Sequence, residues 1–148
     1  MEDEDRLRLA GLRVTAARLA IMRTVREGDH LDVEAVHRGV RDRVGRVSLQ
    51  AVYDSLHALH GAGLLRRTSP AGSPARYETR TGDNHHHLVC RRCGKVTDVD
   101  CAVGHAPCLT PASDAGYLVD EAEVTFWGVC PGCRSEDTRR REPPEDPL

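Results

Sequence analysis

The residues of this chain that are best suited to metal chemistry are crowded into one short stretch. The segment "GDNHHHLVCRRCGKVTDVD", residues 82–100, holds three consecutive histidines, a C-x2-C pair and several aspartates. A metal ion takes about four to six ligands of a consistent type, so these donors are too many and too varied for one site. The stretch therefore predicts two metal sites with different roles.

Four of the six cysteines predict a structural zinc site. Cys90 and Cys93 form one C-x2-C pair, and Cys130 and Cys133 form a second pair 36 residues further on. Two pairs of thiolates from separate segments can close a tetrahedral sulfur site, which suits Zn2+ and leaves no coordination position open. The alternative, that these are free buried thiols, does not account for the paired spacing.

Enzyme classes that use similar short motifs are not indicated. A zinc deaminase needs an H-x-E element beside its P-C-x-x-C, and none of the eight histidines is followed two residues later by glutamate. Neither H-E-x-x-H nor a nucleophile elbow occurs, and no βαβ context surrounds either C-x2-C pair. We therefore predict that the chain is not an enzyme.

The histidines that the cysteine site leaves free predict a second site. "HHHLVC" has the composition of a strand, in which His85 and His87 share one face and His86 points to the other. Asp98, on the following strand "KVTDV", would complete a set of nitrogen and oxygen donors suited to Fe2+, Mn2+, Ni2+ or Zn2+. The alternative is a solvated polar strand.

The elements that must position these residues begin with three short helices. Thr15, Asp32 and Ser48 are the predicted N-caps of "TAARLAIMRTVREG", "DVEAVHRGVRD" and "SLQAVYDSLHALHGAG", in the last of which Leu49, Val52, Leu56 and Leu59 are predicted to face inward. "LLRRT" and "ARYET" follow as two strands joined by the turn-rich "SPAGSP". This order of helices and hairpin is typical of a winged helix-turn-helix, with the third helix as the recognition helix.

A DNA-binding surface is predicted around that third helix. Residues 6–80 contain 14 arginines and seven acidic residues, a net charge of +7, whereas residues 81–148 carry a net charge of −5. A basic half beside an acidic half indicates that one half meets a polyanion. The alternative is a helical bundle with a solvated basic face. The candidate contacts are Arg13, Arg18, Ser48, Gln50, Tyr53, Asp54, Arg66 and Arg67.

The amino-acid composition leads to expectations about stability, assembly and location. Hydrophobic residues make up 39% of the chain and aromatic residues only 3%, which predicts that a metal, a partner subunit or both contribute to stability. A homodimer follows as the expected assembly. No signal peptide or membrane-spanning segment is recognisable, so a cytosolic protein is expected, and cysteines in a reducing compartment are more often metal ligands than disulfides.

The chain resembles the ferric uptake regulator family. The segments "GLRVTAARLAIM", "SLQAVYDSLHALHGAGLLRR", "RYETRTGDNHHHLVCRRCGKVTDVD" and "WGVCPGC" fall in the order and spacing of that family, over roughly residues 11–133. The resemblance is closest to the peroxide-sensing branch, which represses catalase-type genes. It implies an α+β chain with a winged helix-turn-helix at residues 1–80, a hinge at 81–84, an α/β dimerisation domain with structural zinc at 85–135, and a tail at 136–148, which we expect to be disordered.

The resemblance also implies the ligands of the regulatory site and their role. By position, these ligands are His30, Glu78, His85, His87 and Asp98, holding Fe2+, Mn2+ or another divalent metal. The metal-loaded homodimer would repress transcription from an inverted-repeat DNA operator. Peroxide would then act as the signal by oxidising a coordinating histidine, for which His30 and His85 are the candidates.

Three departures from the family pattern bear on function. Glu78 stands where peroxide sensors often have aspartate, and Asp54 stands where arginine or asparagine is common on the recognition helix. Ala122 replaces a histidine that many members have, so the family's third metal site is not expected. Cys101 and Cys108 are additional thiols that raise a thiol-switch repressor as an alternative.

Two more functions are compatible with the same residues. One is a repressor that senses the availability of iron, zinc or nickel, and the second is a zinc-dependent enzyme or a protein-binding zinc module without DNA binding. His37, His57 and His60 lie on predicted helices away from the histidine cluster and are not expected to be ligands.

Overall fold

The computed structural model describes residues 1–83, 85–103 and 107–141. The chain divides into two compact units, residues 1–83 and residues 84–148, and the division falls within the segment 81–84 that is predicted as a hinge. Both units combine helices with short strands, which confirms the α+β class. None of the helices in the described part of the chain is long and apolar enough to cross a membrane.

The first unit contains four helices and three short strands. In chain order these are α1 (Asp3–Leu9), α2 (Ala16–Glu27), β1 (Leu31–Asp32), α3 (Val33–Val44), α4 (Leu49–Gly61), β2 (Arg66–Thr68) and β3 (Arg76–Glu78). The strands form an antiparallel sheet of order β1-β3-β2, with Arg67 opposite Tyr77. Helices α2, α3 and α4 followed by the β2-β3 hairpin give the predicted winged helix-turn-helix.

Three predicted N-caps begin the helices α2, α3 and α4. The Thr15 hydroxyl accepts the backbone N–H of Arg18 at 3.2 Å, Asp32 accepts from Ala35 at 2.8 Å, and Ser48 accepts from Ala51 at 3.0 Å. Each side chain satisfies one amide that the first helical turn leaves without a partner. The sequence therefore predicts these three starts correctly.

One hydrophobic cluster holds the first unit together. Val52, Leu56 and Leu59 line the buried face of α4 at helical spacing, as predicted. Leu49 does not join them, because it lies in the first turn of α4 and is 45% exposed. The remaining buried members come from every helix and from the wing: Leu7, Ala20, Ile21, Met22, Val25, Val36, Val40, Leu65 and Tyr77.

The second unit is a three-stranded sheet followed by a helix. Strands β4 (His85–Cys90), β5 (Val96–Asp100) and β6 (Thr125–Gly128) have the order β5-β4-β6, and helix α5 spans Pro131–Arg141. The central strand β4 pairs antiparallel with β5 and parallel with β6. This pairing places His87 beside Asp98 on one side and beside Thr125 on the other.

Three elements differ from the sequence-based expectation. Helix α1 is not predicted; its acidic first turn suits the helix dipole, and Leu7 anchors it in the core with no exposed surface. The expected strand "LVDEAEVTFW" is a strand only over Thr125–Gly128. Residues 136–141 of the expected disordered tail belong to α5, where Arg92 pairs with Asp137; residues 142–148 lie outside the described part of the chain.

Candidate metal centres and nucleic-acid interface

The four paired cysteines converge in the second unit. Cys90 ends β4, Cys93 lies in the turn that follows, and Cys130 and Cys133 lie at the start of α5. Sγ of Cys90 is 3.9 Å from Sγ of Cys133, and Sγ of Cys93 is 3.7 Å from Sγ of Cys130. With Zn–S bonds of about 2.3 Å, tetrahedral geometry puts the sulfurs about 3.8 Å apart. The cluster therefore fits Zn2+.

The backbone around this cluster favours the thiolate form of Cys90. The Cys130 N–H donates to Sγ of Cys90 at 3.3 Å, and this bond, with others from Cys93 and Arg92, lowers the pKa of Cys90 to about 6. Hydrogen bonding to Cys130, together with burial, raises the pKa of Cys133 to about 12. Four sulfurs this close cannot all ionise without a cation between them, which is the situation that a metal ion relieves.

The turn that carries Cys93 depends on Gly94. Gly94 has φ of +75°, a left-handed conformation that lets its N–H donate to the Cys90 carbonyl at 3.0 Å while the Lys95 carbonyl accepts from Cys90 at 2.9 Å. These two bonds fold the chain back on itself between the two cysteines. The C-x2-C pair is thus positioned by backbone hydrogen bonds.

A histidine and a carboxylate meet inside the first unit. Nε2 of His30 lies 3.1 Å from Oε2 of Glu78, and both side chains are almost fully buried. On the other side of the ring, Nδ1 of His30 lies 2.6 Å from Oδ1 of Asp29. A carboxylate that accepts from Nδ1–H fixes the tautomer and leaves the lone pair of Nε2 available to a metal, which is the usual arrangement behind a metal-ligating histidine.

The backbone of His30 is strained. His30 has φ of +51°, one of only two positive values among the non-glycine residues that the structure describes. The conformation is held by Arg76, whose guanidinium donates to the His30 carbonyl at 3.1 Å. Such strain, roughly 1–3 kcal/mol, persists where the surroundings over-determine a residue, and it clusters at functional sites.

Two histidines and a carboxylate meet inside the second unit. Nε2 of His85 and Nε2 of His87 lie 3.5 and 3.3 Å from Oδ1 of Asp98, and the two imidazole rings are fully buried. Donors of one ion with bonds of about 2.1 Å lie about 3.0–3.4 Å apart, so these separations suit shared ligation. Nδ1 of His87 is 3.7 Å from Glu123, a residue that no sequence motif marks.

The predicted alternation along β4 is borne out by its contacts. His85 and His87 approach Asp98, whereas His86 turns to the opposite face, where its Nε2 lies 3.2 Å from Sγ of Cys108. All three rings are buried. The strand thus presents two different donor sets, one on each face.

The cluster around His86 brings Cys101 and Cys108 together. One donor atom from each of these three residues lies within 4.8 Å of the others. Burial and the neighbouring Cys101 raise the pKa of Cys108, so less of it is thiolate at neutral pH than in an ordinary cysteine. This disfavours a fast thiol switch at Cys108.

Helix α4 presents a polar surface in the first unit. Gln50, Tyr53 and Asp54 are exposed, Tyr53 by 50%, and Ser48 is exposed at the start of the helix. The side-chain amide of Gln50 donates to Asp54 at 2.8 Å, and the remaining oxygens of this exposed pair are hydrogen-bond acceptors. Acceptors of this kind match the amino groups of cytosine and adenine in the major groove.

The flanking arginines divide into two groups. Arg13 and Arg67 are exposed, and Arg18 donates to the Arg13 carbonyl at 2.8 Å. Arg66 is less exposed: its side chain is 15% exposed and its Nε lies 3.9 Å from Glu78. It is oriented toward the buried carboxylate because β2 pairs with β3 in the register that puts Arg66 opposite Glu78.

Three further arginines are not among the predicted contacts. Arg38, Arg41 and Arg46 lie around the end of α3, where they line a shallow cavity of about 500 Å3 together with Asp42, Gly45 and Val47. The signal in the sequence is the run "RDRVGR" immediately before the recognition helix. These guanidinium groups are additional candidates for phosphate contacts.

The family model for the ferric uptake regulator family matches residues 9–119, which is most of the chain and spans both sets of histidines and carboxylates. The chain belongs to the ferric uptake regulator family. Members of this family are metal-responsive regulators of transcription, the class predicted from the sequence.

Named relatives agree with this membership. The transcriptional regulator FurA of Mycobacterium tuberculosis is 55% identical over 139 residues, covering 94% of this chain and 95% of the relative. Ferric uptake regulation protein 1 of Mycolicibacterium fortuitum is 59% identical over 121 residues, covering 82% and 75%. The crystal structure of the Vibrio cholerae ferric uptake regulator is 26% identical with a TM-score of 0.65, covering 86% and 99%.

Proposed function

We propose that this chain is a metal-dependent repressor that binds an inverted-repeat operator as a homodimer and releases catalase-type peroxide-defence genes when peroxide oxidises its regulatory metal site. The observation that carries the proposal is the pair of buried donor sets, His30 with Glu78 in the first unit and His85 and His87 with Asp98 in the second. Buried histidines beside carboxylates are costly unless they are paired or ligate a metal.

The two donor sets are each too small for a complete site. Two donors in one unit and three in the other fall short of the octahedral shell that Fe2+ or Mn2+ commonly takes, whereas five side chains come close to it. We propose that all five ligate one Fe2+ or Mn2+. A separate Zn2+ in the four-cysteine cluster would then be structural, because four thiolates leave no open position.

Shared ligation would link the metal to DNA binding. An ion that needs ligands from both units stabilises the arrangement in which they converge, and by thermodynamic reciprocity that arrangement binds the ion better. If the same arrangement sets the spacing of two recognition helices in a dimer, occupancy of the site controls affinity for two operator half-sites.

The histidines are the proposed target of peroxide. Fe2+ held by these ligands would supply the electron that activates peroxide, and the net reaction would transfer one oxygen atom from H2O2 to an imidazole carbon and release water. His30 and His85 are buried, so an oxidant formed beside them meets imidazole before it meets solvent. An oxidised imidazole is a poor ligand, so the donor set is lost and the repressor leaves its operator.

A homodimer is supported by an apolar patch in the second unit. Leu88 of β4 and Phe126 of β6 are register partners on neighbouring strands, and they are 45% and 49% exposed. Two large apolar side chains adjacent on one face of a small sheet are typical of an interface. We propose that this face meets a second copy of the chain.

The proposed DNA contacts lie on the first unit. Gln50, Tyr53 and Asp54 of α4 would read base edges, and Arg13, Arg67 and the cluster Arg38, Arg41 and Arg46 would contact phosphates. Ser48 would contribute through the N-terminus of α4 that it caps. The basic charge of residues 6–80 supports this surface.

The decisive experiment compares Fe2+-loaded with Mn2+-loaded protein. Each is treated with micromolar peroxide, and operator gel shifts are run beside peptide mass spectrometry. We expect the iron form to lose DNA binding while the His30 or His85 peptide gains the mass of one oxygen atom, and the manganese form to keep both its mass and its binding.

Different outcomes would identify the competing functions. DNA binding that needs metal but survives peroxide would make the chain a sensor of metal availability. A mass loss of two hydrogen atoms on peptides holding Cys101 and Cys108, with loss of DNA binding, would identify a thiol switch. Metal-independent DNA binding would overturn the regulatory site itself.

A further inference from the structure

The cluster of His86, Cys101 and Cys108 is separate from both sites described above. His86 lies on the face of β4 opposite to His85 and His87, and none of the three residues belongs to the four-cysteine cluster. The ring of His86 is 4% exposed, and both thiols are partly buried. The proposed function uses neither thiol, so the convergence of these donors needs its own explanation.

From this convergence we propose that His86, Cys101 and Cys108 form a third metal site that takes a thiophilic cation such as Zn2+ or Cu+. Two sulfurs and one imidazole nitrogen within 4.8 Å of one another are a three-donor set for a soft or borderline ion. A tetrahedral ion held by three side chains keeps one position open, which distinguishes this site from the closed four-cysteine cluster.

The donors come from three separate segments of the second unit, so a bound ion would link parts of the chain that are distant in sequence. His86 is in the central strand, Cys101 directly follows β5, and Cys108 lies in the irregular segment before β6. Cys108 also approaches the Ala122 carbonyl at 3.9 Å. An ion bound here would tie residues 101–124, which have no strand or helix in the described part, to the sheet.

Binding requires defined proton movements and no change of oxidation state. Each of Cys101 and Cys108 loses its S–H proton to solvent as its sulfur becomes a ligand. In the metal-free protein the Val124 N–H donates to Nδ1 of His86 at 3.2 Å, so the neutral ring carries its proton on Nε2, 3.2 Å from Cys108. Ligation through Nε2 moves that proton to Nδ1, and the Val124 N–H must turn away.

Cobalt provides a test on the full-length protein. Protein whose four-cysteine cluster is filled with Zn2+ is titrated with Co2+, which does not displace the tighter-binding zinc. Thiolate ligands give Co2+ an intense near-ultraviolet charge-transfer band, which histidine and carboxylate ligands do not. We expect this band to saturate at about one Co2+ per chain at the new site.

Variants assign the band to its ligands. Cys101→Ser should reduce the band roughly by half, because one of two thiolates is lost, and the double variant C101S/C108S should abolish it. His86→Ala should weaken Co2+ binding about tenfold or more. His30→Ala, which disables only the proposed regulatory site, should leave the band unchanged, so the two proposals fail independently.

Two results would overturn the third site. The first is wild-type protein without a thiolate band, and the second is a band that persists in C101S/C108S. If the double variant loses its structural zinc or the circular dichroism signal of the folded state, the proposal is tested by alkylation of the wild-type protein. Added Zn2+ should then slow modification of Cys101 and Cys108 at least about tenfold, and unchanged rates, or thiols already joined as a disulfide, would refute the proposal.

Discussion

His30 shows how one side chain can be prepared for ligation by its neighbours. Its positive φ, its buried ring and the carboxylate of Asp29 on Nδ1 all constrain where Nε2 points. The Arg76 bond to its carbonyl fixes the backbone on the other side. An alanine at position 30 would relax all of these constraints at once, so a gentler change is more informative.

Asp29→Ala is predicted to weaken binding at the proposed regulatory site. Without the carboxylate on Nδ1, the ring loses its fixed tautomer and orientation, which typically costs about 10–100-fold in metal affinity. Mn2+ titration by calorimetry measures the effect. Asp29→Asn is the matched control, since its amide oxygen can still accept from Nδ1 and should preserve most of the affinity; equal, unchanged affinities for both variants would contradict the orienting role.

The residues of the sites were predictable to different extents. The cysteine pairs are predictable from their C-x2-C spacing. The alternation of side chains along a strand correctly places His86 on the face opposite to His85 and His87. His30 is identified only through family resemblance, because nothing in the local sequence distinguishes it from the other histidines outside the cluster. Asp29 and Glu123 were missed, since a single carboxylate beside a histidine ring in space leaves no mark on sequence spacing.

At the scale of elements, two helices of the first unit approach each other closely at Gly39. A Cβ added at Gly39 would lie 2.4 Å from Cγ2 of Thr24 and 3.3 Å from its Oγ1. Thr24 is itself buried, so its side chain has little room to move aside. Helices α2 and α3 therefore depend on a glycine where they cross.

Gly39→Ala is predicted to destabilise the protein by about 1–3 kcal/mol, because the added methyl overpacks the contact between α2 and α3. Urea unfolding monitored by circular dichroism measures the loss. Gly61→Ala is the matched control: its Cβ would meet nothing within 4 Å, so replacing glycine should stabilise by about 0.4–1 kcal/mol. The same sign for both variants would refute the close approach of the two helices.

Thr15→Ala is predicted to cost about 1 kcal/mol of unfolding free energy, because the Arg18 amide at the start of α2 loses its acceptor. Thr15→Ser keeps the hydroxyl and should remain within a few tenths of the parent value. Thermal and urea unfolding of both variants make the comparison. A loss shared by alanine and serine would point to the missing methyl group instead of the cap.

Helices and strands are predictable from the local sequence where a side-chain cap or a regular spacing of hydrophobic residues is present. They are not predictable where tertiary contacts determine them. The starts of α2, α3 and α4 are predictable because each has a side-chain acceptor before an amphipathic run. Helix α1 has only an acidic leader as its sequence signal, since its attachment through Leu7 depends on tertiary packing. Strand β1 is two residues long and exists only because β3 is there to pair with it.

At the scale of the whole molecule, the second unit has few buried apolar residues of its own. Apart from the buried histidines, its buried side chains in the described ranges are Val89, Cys90 and Val96. Such a small core supplies little stabilisation, so metal ligation is expected to provide much of it.

Cys133→Ser is predicted to release the structural zinc and to unfold the second unit, because three thiolates no longer close the site. Hydrogen exchange should show protection lost in β4, β5 and β6 while α2, α3 and α4 of the first unit remain protected. Cys101→Ser is the control that should keep the zinc of the four-cysteine cluster and the protection of these three strands. A Cys133→Ser protein with intact exchange protection would show that packing alone holds the sheet.

Phe126→Asp is predicted to weaken the proposed homodimer, because it places a charge in the apolar patch formed with Leu88. Sedimentation velocity over a range of concentrations measures association. Leu9→Asp is the control, since Leu9 is 76% exposed on α1 of the first unit and should leave association unchanged. A dimer that tolerates Phe126→Asp would place the interface elsewhere.

The position of β4 at the centre of its sheet makes this segment unusually intolerant of length changes. Its six residues hold donors for three separate clusters: His85 and His87 on one face, His86 on the other, and Cys90 at the end. A deletion of one codon here would invert the faces, sending the histidine of one cluster toward the partners of another. A single substitution in β4 therefore affects one cluster, whereas an insertion or a deletion would disable all three clusters together.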